Sequence, residues 1–273
     1  MSENLPALPE SVQHLPVLTQ DLGQIKSMLA KNMGAANLTA ADLDKIKVPS
    51  GDIPLWMVQT LEGPKGLEAL EGVIAMVSMG RGYWQSDEVG NTPPDCSSEN
   101  TIVGYGRRGA LDTHDGPHDC ASCIMNQFGT ATKDGKAGAG KACNERAHLF
   151  LLTGQGYLPQ VVQVPATSLG GWRKFIARLS SFGKPFSAVV VKMTLAPKKN
   201  KGGTSYMEIV FNSISVLPPE ACSRVEAYAA AFAESFKRAT RQEYDAAPGS
   251  GGDADDAPPP PSFDIPESPA AEE

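Results

Sequence analysis

Between Cys96 and Cys143 the chain runs for almost fifty residues with little apolar periodicity, in stretches such as PPDCSSEN, DCASCIMNQFGT and GAGKACNERAHLF. A segment so rich in Gly, Asn and Asp cannot order itself by burying a core. It does carry four cysteines spaced Cys-x23-Cys-x2-Cys-x19-Cys. The short Cys-x2-Cys bite can place two thiolates on one metal, and two distant cysteines can close a tetrahedral shell. The pattern predicts a structural Zn2+ held by Cys96, Cys120, Cys123 and Cys143. His114, His118 and His148 are close enough in sequence to stand in for one thiolate. A fifth cysteine, Cys222, has no ligand-like neighbours and reads as a packed thiol.

The surrounding chain has enough apolar residues, 41%, for a real core. No apolar run reaches the roughly 20 residues that span a bilayer, and the beginning MSENLPALPESV lacks the basic and apolar regions of a signal peptide. The expectation is a cytoplasmic protein with no membrane partner, in which cysteines serve as ligands or buried thiols rather than as a disulfide framework.

Charge is segregated along the chain. The net charge of −7 is carried by residues 246–273, which contain Asp253, Asp255, Asp256, Asp264, Glu267, Glu272 and Glu273 and no Lys or Arg. From Arg146 to Met207 there is no Asp or Glu, while Arg173, Lys174, Arg178, Lys184, Lys192, Lys198, Lys199 and Lys201 are all cationic. Such a window predicts a polyanion-binding face.

Periodicity divides the remainder. Leu22, Ile25 and Leu29 predict a helix from about Leu18 to Asn32, and Thr39 reads as the cap of a second short helix that includes Leu43 and Ile46. IPLWMVQT and LEALEGVIAMVSM read as strands separated by a turn at EGPKG. AHLFLLTG and QVVQVPA are strands, followed by a helix capped by Thr167 or Ser168 and ending near Phe182. SAVVVKMTLA and TSYMEIVFNSISVL form a hairpin across the basic loop PKKNKGG, and Pro218-Pro219 opens a last helix over Glu220 to Glu243. PGSGGDADDAPPPPSFDIPESPAAEE has too few apolar side chains to offset its ordering entropy.

Strands, a long insertion, more strands, a helix and a closing hairpin is the order of an OB-fold, a five-stranded Greek-key barrel. The expected class is therefore mainly β (α+β). The parts are an N-terminal helical lead at 1–50, an OB-fold-like body at 51–217 with a zinc-stapled insertion at 84–146, a helix at 218–245 and a disordered acidic tail at 246–273. Single-strand binding needs cations for phosphates and aromatic faces for bases. The candidates are Lys65, Arg107, Arg108, Lys192, Lys198, Lys199 and Lys201, with Trp56, Tyr83, Trp84, Tyr105, Tyr157 and Tyr206; Trp172, Phe175 and Phe211 read as core.

With this element order, and with Asp255-Asp256, a proline run and Phe263-Asp264-Ile265-Pro266 near the end, the chain resembles the single-stranded DNA-binding proteins of phages and mobile elements. Some members of that group carry a structural zinc. The resemblance implies a non-enzymatic protein of replication or recombination that binds single-stranded DNA and recruits replication or recombination proteins through Asp255, Asp256, Phe263, Asp264 and Ile265. A different reading is a zinc-dependent nuclease using Asp112, His114, Asp115, His118 and Asp119. A third is a zinc-stapled protein-interaction adaptor. Lys136-Ala137-Gly138-Ala139-Gly140-Lys141 lacks the Gly-x4-Gly-Lys-Ser/Thr order of a phosphate loop and reads as a basic turn.

Overall fold

The computed structural model describes residues 10–244 with short gaps at 14, 20, 35–37, 39–41, 50–52, 86–93, 109–111, 113, 134–135, 155, 200–202 and 204. The architecture is mostly β with some helices: a nine-stranded mixed sheet and two small two-stranded sheets. None of its helices among the described residues is long and apolar enough to cross a membrane.

Two short helices, α1 (Glu10–Gln13) and α2 (Pro16–Thr19), precede α3 (Leu22–Met33). Asp21 caps α3 by accepting a 2.8 Å hydrogen bond from the Gly23 amide; a side-chain oxygen there satisfies an amide that has no partner inside the helix. A second helix was expected to follow. Its cap, Thr39, lies outside the described residues, and Lys45–Ile46 instead form β1, paired in parallel with the strand at Val161 and Val162. Leu43 and Ile46 are buried as expected, but Ile46 reaches the core from a strand.

β2 (Trp56–Thr60) and β3 (Gly63–Leu67) form a hairpin. EGPKG, expected as a turn, is thus mostly strand, and the reversal falls at Leu61 and Glu62. The Thr60 hydroxyl fixes it by donating to the Gly63 carbonyl at 2.8 Å. Pro64 is tolerated because a two-stranded hairpin leaves an edge on which no amide is needed.

β4 (Ala69–Tyr83) is the spine of the large sheet. One edge pairs along most of its length with β10 (Asn144–Leu152), which pairs with β11 (Gln160–Val164). Its other edge pairs near its start with β12 (Val189–Lys199) and near its end with β5 (Cys96–Ser98). β12 forms a long hairpin with β13 (Ser205–Val216), so the expected basic loop contracts to 200–204. Among the described residues β13 pairs only with β12, and the far edge of β11 is taken by β1. The sheet is open and the expected closed barrel is not formed.

Both faces of the sheet are covered. On one, Trp56 and Val58 of the hairpin and Leu169, Trp172 and Phe175 of α4 (Ala166–Ser181) pack on Leu70, Leu149, Val191, Met193 and Phe211. On the other, α1 to α3 and α5 (Pro219–Tyr244) cover Val73, Phe150, Leu152 and Val190. This is why AHLFLLTG reads as an unbroken apolar run: a strand buried on both sides has no solvent face to alternate with. α4 begins at Ala166 without a side-chain cap. Ser168 is buried, and its hydroxyl accepts the Ile209 amide at 3.0 Å, tying the helix to β13 instead of capping it. Each of the buried side chains Val225, Tyr228, Phe232 and Phe236 on α5 contributes about 1.5 to 3 kcal/mol of burial, enough in sum to dock a long helix.

Candidate functional site

The cysteine segment forms a lobe between β4 and β10. β5 places Cys96 opposite Tyr83, and its other edge pairs with β6 (Val103–Gly106). β7 (His118–Asp119) pairs with β6 and delivers Cys120. Cys123 precedes a single 3-10 turn, Ile124–Asn126, and the Cys143 amide donates to the Met125 carbonyl at 2.8 Å. Asn126 closes this corner: its amide donates to the Cys120 carbonyl at 2.7 Å and its oxygen accepts from Lys141 at 3.1 Å. Between Cys123 and Cys143 lies the small hairpin of β8 (Thr132–Lys133) and β9 (Lys136–Ala137).

All four cysteines are free thiols, and all four line one apolar cavity of about 20 Å3 together with Arg81 and His118. A volume of that order admits a single water-sized guest. Two glycines let the chain pass close to the thiols, Gly104 in the cavity wall and Gly106 beside Cys96. A Cβ on Gly104 would stand 3.2 Å from Cys96 Sγ and 3.5 Å from Cys120 Sγ, and Gly106, at φ +110°, would put one 2.1 Å from the Asp95 carbonyl oxygen. Among the described residues no three His, Cys, Asp or Glu side chains stand as a metal-binding group; the four thiols share the cavity wall. Burial, reinforced by Cys123 and Cys120, pushes the Cys96 thiol up to about 11. Cys143 is pushed up to about 12, again mainly by burial.

Two cations face these thiols. Arg81 pairs with Glu145 at 2.8 Å, which also pairs with Arg173 on α4 at 2.5 Å. Its Nε and Nη1, however, are buried without a hydrogen-bond partner. Arg108 donates from its backbone amide, Nε and Nη2 to Asp112, and its Nη1 lies 3.7 Å from Cys123 Sγ. The Asp112 side chain, 3% exposed, also lies 3.3 Å from His118 Nε2, which meets the Gly106 carbonyl oxygen at 2.8 Å. Hydrogen bonds from Arg108 hold the Asp112 carboxyl well below the usual carboxylate range.

The acidic residues of the nuclease reading each have a partner within the lobe. Asp112 anchors Arg108. Asp115 pairs with Arg107 at 2.6 Å, and Asp119 accepts the Ser122 amide and hydroxyl at 2.9 and 2.6 Å. His114 stacks on His118, with ring centroids 5.7 Å apart.

The nucleic-acid candidates separate. Trp56 is fully buried, and its Nε1–H donates to the Met193 carbonyl at 3.1 Å; it is core and offers no stacking face. Tyr83, 8% exposed, is closed beneath the lobe because its strand position carries it inward opposite Cys96. Arg108 is committed to Asp112, and Lys192 to Glu71 at 2.8 Å. Lys198 stands 3.9 Å from Glu208, a looser pair, beside half-buried Tyr206. Lys199 is exposed at the end of β12, while Lys201 lies outside the described residues. Lys65 and Tyr157 both line a groove beside α3, whose lining includes none of the cysteines. Tyr105 is 62% exposed on β6. Trp84, half-buried, lies under Arg146, whose guanidinium carbon is 5.5 Å from the ring centroid. The tail positions Asp255, Asp256, Phe263, Asp264 and Ile265 lie outside the described residues.

One residue escaped the sequence reading. Phe128 is 80% exposed, with Lys141 Nζ 5.0 Å from its ring centroid. Its loop is held by main-chain bonds from Gly129 to the Gly140 carbonyl at 2.9 Å and from Ala131 to the same carbonyl at 3.1 Å. The signal was an aromatic in a polar segment with no core to join.

No known protein family matches the chain, and no curated protein or solved structure shows detectable similarity to it.

Proposed function

We propose that this is a non-enzymatic single-stranded DNA-binding protein whose stacking residues are carried chiefly by the cysteine lobe. The observation that carries the reading is the pairing of cations with aromatic rings there: Lys141 over exposed Phe128 and Arg146 over Trp84, with Tyr105 exposed on the same lobe. The exposed Phe128 ring, with a cation on one side, keeps another face for a base, and the cations attract phosphate. Arg173, Lys192 and Lys198 of the acid-free run meet carboxylates of other elements, and the run adds the exposed cations Lys174, Arg178, Lys184 and Lys199 to the body. We read the succession β4, β10, β11, α4, β12 and β13, with β12 returning to β4, as an OB-like arrangement left open, which favours the same class.

Zn2+ at Cys96, Cys120, Cys123 and Cys143 completes the reading. When bound, it closes a four-thiolate shell and orders a lobe that has little core of its own. The residues fit such a group: a shell of four thiolates and one Zn2+ carries two negative charges, which would give the orphaned Arg81 atoms and Arg108 a counter-charge. The acidic tail, with Asp255, Asp256, Phe263, Asp264 and Ile265, would recruit replication or recombination proteins. It would also compete with DNA from an effective concentration that can reach about mM.

A fluorescence titration with a mixed single-stranded oligonucleotide tests the reading, alongside duplex DNA and RNA. Trp56 and Trp172 are buried, so the expected quenching comes from Trp84, disappears in Trp84→Phe and weakens steeply with salt. Absence of binding at low salt overturns it.

A further inference from the structure

A second concave surface lies away from the cysteine lobe. Helix α3, the β2–β3 hairpin and the turn between β10 and β11 enclose a groove of about 860 Å3, near the upper end of ligand pockets, roughly 300 to 1,000 Å3. Its floor is apolar, with Ile25 and Leu43 buried and Met28 partly exposed; Leu61, fully exposed, stands on the rim. Its charged lining residues are Asp42, Asp44, Glu62 and Lys65, all exposed, so three carboxylates face one ammonium. The net sign is opposite to that expected of a nucleic-acid site.

We infer that this groove docks a short amphipathic segment of a partner protein in which Lys or Arg alternates with bulky apolar side chains. Charge complementarity selects that occupant: apolar side chains would cover Met28 and Leu61 while cations meet Asp44 and Glu62. The two ends of this chain fit poorly. Residues 245–273 hold no Lys or Arg and the whole acidic excess, and residues 1–9 carry Glu3 and no basic side chain. The inference stands apart from DNA binding and would give the protein a contact that reads apolar side chains as well as charge in a basic partner.

The probe is a fluorescein-labelled peptide of Leu and Lys at helical spacing, titrated into the full chain and followed by anisotropy. The expected result is saturable binding that weakens by about tenfold or more in Asp44→Asn/Glu62→Gln and weakens again in Leu61→Ser. Phe128→Ala should leave it unchanged. These three groove side chains are exposed, so thermal melts of the variants should match the parent and any loss reports the groove. Equal affinity for the double variant would place the peptide on the acidic tail and overturn the inference. Equal binding of a Gly/Ser/Lys peptide of the same charge would reduce the effect to unspecific electrostatics and overturn it too. So would groove variants that alter self-association and leave peptide binding intact, since a second copy of the chain would then be the occupant.

Discussion

Asp112 has an almost fully covered side chain and accepts three groups of Arg108. Its carboxyl is held below the ordinary range first by those side-chain hydrogen bonds. A carboxylate depressed in the folded state contributes stability above its unfolded value, about 3.9, and loses it only as pH falls through the lower folded value. In a pH titration followed by its carboxyl 13C shift, Asp112 should therefore stay ionised where exposed Asp side chains protonate. Replacing Asp112 with Asn should loosen the lobe at neutral pH, seen as faster amide exchange between Cys96 and Cys123. Trp56 belongs to the body. Trp56→Ala removes a fully buried ring and its bond to Met193 and should cost about 3 to 5 kcal/mol in denaturant unfolding. Phe128→Ala, by contrast, should leave the melt unchanged and weaken oligonucleotide binding by roughly 1 to 3 kcal/mol if one base stacks there. The two aromatics illustrate where sequence reading succeeds and fails. Both break local patterns, yet only three-dimensional packing tells that Trp56 turns in toward β12 while Phe128 has no core within reach.

At the scale of elements, long periodic segments were legible. α3, α4, α5, the β12–β13 hairpin and the strands at β10 and β11 lie where apolar spacing puts them, because each buries a continuous face. Short pieces were not legible. β1 has only two residues and is held by β11, a partner more than a hundred positions away, so its local cap signal at Thr39 pointed to a helix. β3 reads as a turn by its Gly and Pro, yet pairing with β2 overrides that preference. In the lobe the four cysteines were legible as a group because their spacing is chemical rather than periodic, whereas the Arg81, Glu145 and Arg173 chain was invisible, since its members come from β4, β10 and α4. Metal analysis of purified protein should give about one zinc per chain. Chelation, or Cys120→Ser with Cys123→Ser, should raise amide exchange across 96–143 and leave β4, β10 and β12 protected. A well-folded lobe in metal-free protein would sink the zinc assignment.

For the whole molecule, the separation of charge is the governing fact: an acid-free basic run, a carboxylate-lined groove and a terminal stretch that carries the entire net charge. Removing residues 246–273 should tighten single-stranded DNA binding at low salt, with the difference shrinking as salt screens the competition. An unchanged affinity would assign the tail to recruitment alone. The attachment of the lobe has a mechanical consequence. It springs from the end of β4 and returns into the start of β10, and these two strands lie side by side, with Asn144 opposite Gly82. Tension applied through a strand gripped by the lobe would enter the sheet at two adjacent points pulling the same way, so it would stretch the lobe before it peeled one strand from the other. The lobe would act as the tether and the sheet as its fixed mount, with the link from Arg81 through Glu145 to Arg173 bracing both strands where the tension enters.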